Sequence, residues 1–136
     1  MFRLLILDGY GVRVWIGNDA LDSDKAIRKL VRRAATDSSV FDQFACASPH
    51  TIFVEKGGQI SPKEFAARLA LAMDKALIRL PSIAPDVGQA NKIRSKIAEY
   101  DFVGEVWSDP LLRWTVLFED DVELADPTYY RVITVK

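Results

Sequence analysis

The residues best suited to covalent chemistry are a single cysteine and a single histidine that lie close together. Cys46 and His50 are four residues apart, the spacing at which two side chains share one face of a helix. On such a face the imidazole could take the thiol proton and leave a nucleophilic thiolate. Pro49 disfavours a helix here, because the residue before a proline avoids helical backbone angles. The sequence therefore favours a buried cysteine and a loop histidine, and predicts no catalytic residues.

Metal and cofactor motifs do not emerge from the sequence either. A zinc site of the common cysteine and histidine type needs about four ligands, and the chain has two such residues. The adjacent acids Glu119, Asp120 and Asp121 do not follow the spacing of a calcium-binding EF-hand loop. The segment Asp8-Gly9-Tyr10-Gly11 lacks the third glycine and the following helix of a dinucleotide-binding loop. We predict no metal and no cofactor.

Charge is distributed unevenly along the chain. The 136 residues carry 18 Lys and Arg against 19 Asp and Glu, a net charge of −1, and 49% are hydrophobic. This composition argues against a disordered protein and against a uniformly basic nucleic-acid binder. The net charge is nevertheless +1 over residues 1–50, +3 over 51–100 and −5 over 101–136. An acidic C-terminal third therefore follows a basic region.

The acidic third also holds aromatic residues, a combination typical of surfaces that bind basic proteins. Carboxylates steer a cationic partner and aromatic rings supply rigid contact area. The leading hypothesis is a non-enzymatic protein-interaction domain, such as an inhibitor or an immunity-type protein of a toxin. The predicted partner-binding residues are Glu119, Asp120, Asp121, Glu123, Asp126, Trp107 and Tyr129.

Two alternatives stay open at this point. The first is a structural or homo-oligomeric domain whose last strand or central helix pairs with another copy. The second is a nucleic-acid-associated accessory protein that uses a basic helix, although a charged outer face is also what any amphipathic helix needs. Its candidate contacts are Arg28, Lys29, Arg32 and Arg33. The low overall charge makes nucleic acid the less favoured partner.

One cysteine allows no internal disulfide, which favours a reducing compartment. The N-terminal apolar run ends after four residues at Asp8, which is too short for a signal peptide, and no stretch approaches a membrane span. We therefore expect a soluble cytoplasmic protein without membrane contact. No linker or repeat interrupts the sequence, so residues 1–136 are predicted to form a single globular domain.

Patterns of apolar residues predict about four helices and a largely antiparallel sheet. Residues 2–16 alternate in polarity around Asp8-Gly9, as in a β-hairpin. The last third shows three strand patterns in succession, typical of an antiparallel meander. The predicted fold class is α+β, a two-layer arrangement with the helices on one face. The predicted helices span residues 22–35, 40–45, 62–80 and 89–100.

Overall fold

Six strands form one mixed sheet in the order β1-β2-β3-β6-β5-β4. The structure is a computed structural model that describes residues 2–6, 12–45 and 48–136. The strands are β1 (Phe2–Ile6), β2 (Val12–Ile16), β3 (Pro49–Val54), β4 (Glu105–Ser108), β5 (Thr115–Phe118) and β6 (Val132–Val135).

The sheet is parallel at its centre and antiparallel at its two ends. Strands β2, β3, β6 and β5 run parallel to one another, whereas β1 pairs with β2 and β4 with β5 in antiparallel fashion. The prediction of a largely antiparallel sheet is therefore wrong. The predicted C-terminal meander fails at β6, which inserts between β3 and β5. Residues 119–131 are long enough for the dozen-residue return that a parallel connection needs.

The N-terminal antiparallel pair agrees with the sequence pattern. Phe2 pairs with Ile16 and Ile6 with Val12, so β1 and β2 are aligned over their whole length. The predicted turn at Asp8-Gly9 lies outside the described residues.

Each of the three α-helices begins at a side-chain cap. Ser23 accepts a hydrogen bond from the Ala26 N–H, and Ser61 accepts one from the Glu64 N–H. Asp86 caps the third helix, which begins two residues before the predicted start. No helix in the described part of the chain is long and apolar enough to cross a membrane. The helices are α1 (Asp24–Ser39), α2 (Pro62–Arg79) and α3 (Val87–Val103).

The helices cover both faces of the sheet, which corrects the predicted two-layer arrangement. Helices α1 and α2 pack in one core cluster with Val116 of β5, and α3 packs in a second cluster with Leu117. Neighbouring residues of a strand point to opposite faces, so these clusters lie on opposite sides. Helix α2 contributes most to the first cluster, where its residues Phe65, Leu69 and Met73 are fully buried.

The fourth predicted helix, around residues 40–45, does not form. Residues Val40–Gln43 make a tight turn in which Phe41 and Asp42 have left-handed backbone angles, with φ of 50° and 51°. The apolar pattern that suggested a helix face is not buried, since Phe41 is 78% and Phe44 59% exposed. This turn leads into β3 and reaches the sheet at the amino ends of its parallel strands.

Candidate active site

Two turns with left-handed backbone meet at the amino ends of the parallel strands. One is Phe41–Gln43, just before β3, and the other is Tyr129–Arg131, just before β6; all six residues have positive φ. A left-handed conformation costs a residue other than glycine about 1–2 kcal/mol. Backbone of this kind persists only where its surroundings determine it, and it concentrates at functional sites. We call this region the amino edge.

A buried ion pair joins the two turns. The Arg131 Nε donates to Asp42 Oδ1 over 2.8 Å, and its Nη1 donates to the Leu80 carbonyl at the end of α2, also over 2.8 Å. The Arg131 side chain is only 3% exposed, whereas Asp42 is one-third exposed. The guanidinium thus fixes both left-handed turns to the end of a helix.

Gln43 provides a second connection between the turns. Its Nε2 donates to the Pro49 carbonyl over 2.8 Å and to the Val132 carbonyl over 2.7 Å. Its Oε1 accepts the Val132 N–H over 3.1 Å. This side chain is fully buried and ties the turn to the first residues of β3 and β6.

His50 lies at an irregularity in the sheet beside these turns. Val12 of β2 pairs with Pro49 and Arg13 pairs with Thr51, so His50 has no partner residue on β2. Such bulges are frequent next to active sites, where they redirect a side chain. The imidazole is 5% exposed and contacts the Tyr129 ring edge to face, with 4.8 Å between ring centroids. Burial lowers the pKa of His50 below its usual value.

Two buried polar atoms near this point have no hydrogen-bond partner within the described residues. They are His50 Nδ1 and Ser48 Oγ. Buried polar atoms are normally paired, and exceptions often mark catalytic positions. Cys46 falls between Gln43 and His50 in the sequence but lies outside the described residues. Both residues with unpaired atoms follow Cys46, the only thiol of the sequence, within four positions.

Aromatic rings form the outer part of the amino edge. Phe44 stacks on Tyr129 with 5.2 Å between ring centroids and meets Tyr130 edge to face at 6.2 Å. Phe44 and Tyr129 are both exposed on one side. The arrangement offers apolar surface beside the buried imidazole.

The opposite, carboxyl edge of the parallel strands holds a cavity of about 930 Å³. Trp15 and Phe53 line it as a stacked pair with 4.7 Å between ring centroids. Crevices at the carboxyl ends of strands are the usual ligand sites of open α/β sheets. Across residues 2–6, 12–45 and 48–136, no three His, Cys, Asp or Glu side chains gather closely enough to hold a metal ion.

The predicted acidic residues lie mostly at this carboxyl edge, where several are already paired. Lys136 donates to Glu119 over 3.2 Å and to Asp121 over 2.5 Å, and Asp120 forms an ion pair with Lys56. The other predicted acids, Glu123 and Asp126, are exposed.

The predicted acidic and aromatic face is not one surface. Glu119, Asp120 and Asp121 follow the carboxyl end of β5, whereas Tyr129 lies at the amino edge against His50. Trp107 of β4 is half-buried and packs against the core cluster under α2. Partner binding by the individual residues stays a prediction, but the structure separates them into different regions.

The predicted basic helix face lies on the outside of α1. Its four members are exposed, and two of them are paired within the helix: Arg28 with Asp24 at 2.7 Å and Arg33 with Asp37 at 3.6 Å. These ion pairs reduce the repulsion between the neighbouring positive charges on this face of α1. The four residues are Arg28, Lys29, Arg32 and Arg33. Nucleic-acid contact by this face stays a prediction.

A buried imidazole at a strand bulge, next to polar atoms without a partner in the described part of the chain, is typical of a candidate active site. The model of the acyl-CoA reductase (LuxC) family matches residues 9–136, and the chain belongs to this family. No curated protein and no solved structure shows significant similarity to it. The family is enzymatic, so the hypothesis of a non-enzymatic inhibitor or immunity protein is wrong.

Sequence analysis considered Cys46 and His50 and predicted no catalytic role for them, and it missed the residues that connect the two left-handed turns. Gln43 and Arg131 were not predicted, because neither left-handed turn contains a glycine, the usual sequence signal of positive φ. Asp42 gave the one available signal, since aspartate tolerates the left-handed region better than most residues.

Proposed function

We propose that this chain carries the acyl-accepting centre of an acyl-CoA reductase, with Cys46 as the nucleophile and His50 as its base. The family match over residues 9–136 is the observation that carries the proposal. An acyl-CoA is a thioester, and a protein thiol exchanges directly with a thioester as a nucleophile. The chain contains one thiol and one imidazole, four residues apart.

In the proposed step, His50 accepts the proton of the Cys46 thiol and the sulfur attacks the thioester carbonyl carbon. A carbon–sulfur bond forms to Cys46 while the bond to the CoA sulfur breaks. The proton passes from His50 to the CoA thiolate, which leaves as free CoA. The lowered pKa of His50 supports this role, because a neutral imidazole is the form that accepts a proton.

Reduction of the acyl group to an aldehyde further requires a hydride donor. The sequence contains no Gly-x-Gly-x-x-Gly loop of the kind that holds a dinucleotide pyrophosphate. The proposal therefore assigns acyl transfer to Cys46 and His50, and assigns no residue of this chain to the hydride donor.

Intact-protein mass spectrometry tests the proposal directly. The full chain is incubated with acetyl-, octanoyl- or tetradecanoyl-CoA, and we expect the mass of one acyl group to be added by at least one of them. Neutral hydroxylamine should remove a thioester-linked group. Cys46→Ala should gain no mass, and His50→Gln should acquire the group about a hundredfold more slowly.

N-Acetylcysteine serves as the control for uncatalysed thioester exchange. The proposal fails if the wild-type chain is acylated no faster than this free thiol at the same pH. It also fails if Cys46→Ala gains the same hydroxylamine-sensitive mass.

A further inference from the structure

The amide of Gln43 is buried in one fixed orientation. Its Nε2 faces the carbonyls of Pro49 and Val132, and its Oε1 faces the Val132 N–H. Rotating the amide by half a turn would direct its oxygen at two carbonyl oxygens, so these contacts define a single orientation. The Gln43 side chain is 0% exposed and makes three hydrogen bonds, so it can fix the distance between the backbone segments at Pro49 and Val132.

The groups that Gln43 joins are the three chain segments around His50. Pro49 precedes His50 at the start of β3, and Val132 follows the turn that presents Tyr129 to the imidazole. Gln43 itself belongs to the left-handed turn that leads towards Cys46. The backbone contacts of one side chain thus set the distance between the imidazole and the ring against which it packs.

We propose that Gln43 is a positioning residue, which holds the His50 imidazole against Tyr129 at the bulge of β3. This inference rests on the proposed function for its catalytic consequence, but not for its structural one. Gln43 touches neither the imidazole nor, in the proposal, the substrate. It acts by fixing the backbone on which His50 and Tyr129 stand.

The ionisable side chains contributed by the flanking turns are Asp42, Tyr129, Tyr130 and Arg131, and Asp42 is paired with Arg131. Loss of the Gln43 contacts would let β3 and β6 separate at their first residues and admit water to the imidazole. Because burial is what lowers the pKa of His50, this pKa should then move up towards its usual value.

The chain has one histidine and one cysteine, so the histidine NMR signal and the alkylated thiol can each come from one residue only. The probes are the NMR titration of His50, the pH dependence of Cys46 alkylation by iodoacetamide, and the rate of acyl transfer. In Gln43→Met we expect a raised His50 pKa, an altered alkylation profile and a rate about a hundredfold lower, the loss typical of misplaced reacting groups. Gln59→Met is the matched control, since its amide donates to the Asp22 carbonyl on an exposed surface.

A second variant, Gln43→Glu, keeps the proposal testable if Gln43→Met does not fold. Its ionised carboxylate repels two carbonyls, whereas its protonated form regains one donor. Its acyl-transfer rate relative to the wild type at the same pH should therefore recover as the pH falls. A residue that contributed only to stability would change the free energy of unfolding with pH but would leave the His50 titration of the folded variant unchanged.

Three outcomes separate this inference from the proposed function. A folded Gln43→Met with an unchanged His50 titration and alkylation profile overturns the positioning role. A Gln43→Glu variant without relative recovery at low pH also counts against it. If the wild-type chain transfers no acyl group but the Gln43 variants still shift both profiles, the proposed function fails and the positioning of His50 stands.

Discussion

The two edges of the parallel strands are built in opposite ways. At the carboxyl edge the buried charges are satisfied, with Lys136 held between Glu119 and Asp121 beside an open cavity. At the amino edge the backbone is left-handed in two places, and His50 Nδ1 has no partner within the described residues. Paired charges are typical of a stable surface, whereas backbone strain and buried polar atoms without partners are typical of functional sites. The two left-handed turns favour the amino edge for chemistry, although the 930 Å³ cavity and Asn18 Oδ1, which is also unpaired in the described part of the chain, lie at the other edge.

The amino edge also depends on side chains to keep its shape. Its left-handed residues cost about 1–3 kcal/mol each, and the side chains of Gln43 and Arg131 offset part of this cost. The carboxyl edge needs less support of this kind, because the residue with positive φ that follows β3 there is Gly57, which adopts this conformation at little cost. Removing one buried side chain should therefore have a larger effect at the amino edge.

The largest loss of stability is expected from Arg131→Met. The substitution leaves Asp42 and the Leu80 carbonyl without their donor and releases both left-handed turns. Removing one member of a buried pair costs about 3 kcal/mol in the free energy of unfolding. Urea denaturation measures this change. Arg28→Met is the control, because its ion pair is mostly exposed and should contribute less than about 1 kcal/mol. Equal losses in the two variants would contradict the comparison.

A smaller loss is expected from Lys136→Met at the carboxyl edge. It leaves Glu119 and Asp121 facing each other, at a cost of about 2 kcal/mol at neutral pH. Burial alone would raise the pKa of Asp121, but the hydrogen bond and charge of Lys136 outweigh it and lower that pKa. The wild type therefore loses this stability as the pH falls through the lowered pKa of Asp121, so the difference from Lys136→Met should shrink in acid. A difference that stays constant down to pH 2 would contradict this account. Lys56→Met, which breaks an exposed pair with Asp120, is the control.

Local sequence signals predicted the three α-helices and the N-terminal antiparallel strand pair, whereas the fourth predicted helix and the C-terminal meander were wrong. Ser23 and Ser61 announce their helices because capping is decided within four residues. The place of β6 depends on hydrogen bonds to β3 and β5, which are distant in the sequence, and no local pattern shows them. Alternating residues in the last third fit a meander as well as a parallel insertion, so the periodicity could not distinguish the two.

The sequence indicated two residues of the candidate site, but not the residues that position them. Cys46 and His50 stood out by residue type, but the predicted loop histidine lies in β3, which begins at Pro49. That proline was read as evidence against chemistry, although a strand bulge can present His50 without any helix. Gln43 and Arg131 could not be found, because their partners lie 89 residues away along the chain.

The pH dependence of stability provides a finer test of the amino edge. Because burial lowers the pKa of His50, the unfolded chain binds its proton more tightly than the folded one. The free energy of unfolding should therefore fall as the pH drops below about 6.5, the usual histidine value, and continue to fall until the lowered pKa is passed. His50→Phe keeps an aromatic ring beside Tyr129 and should remove this part of the slope. Parallel curves for the two proteins between pH 8 and pH 5 would show that His50 is not a buried neutral imidazole.

The smallest effect is expected from Asp120→Asn at the carboxyl edge. Asp120 is paired with Lys56, but both side chains are more than 60% exposed, so water and salt screen their attraction. Such pairs contribute about 0.2–1 kcal/mol, and the change in unfolding free energy should fall in this range and disappear at 1 M salt. Acyl transfer should be unaffected, because the pair lies at the opposite edge from His50. A large loss of acyl transfer in Asp120→Asn, with stability preserved, would move the chemistry to the carboxyl edge, where the 930 Å³ cavity would then be the better candidate for the acyl-CoA site.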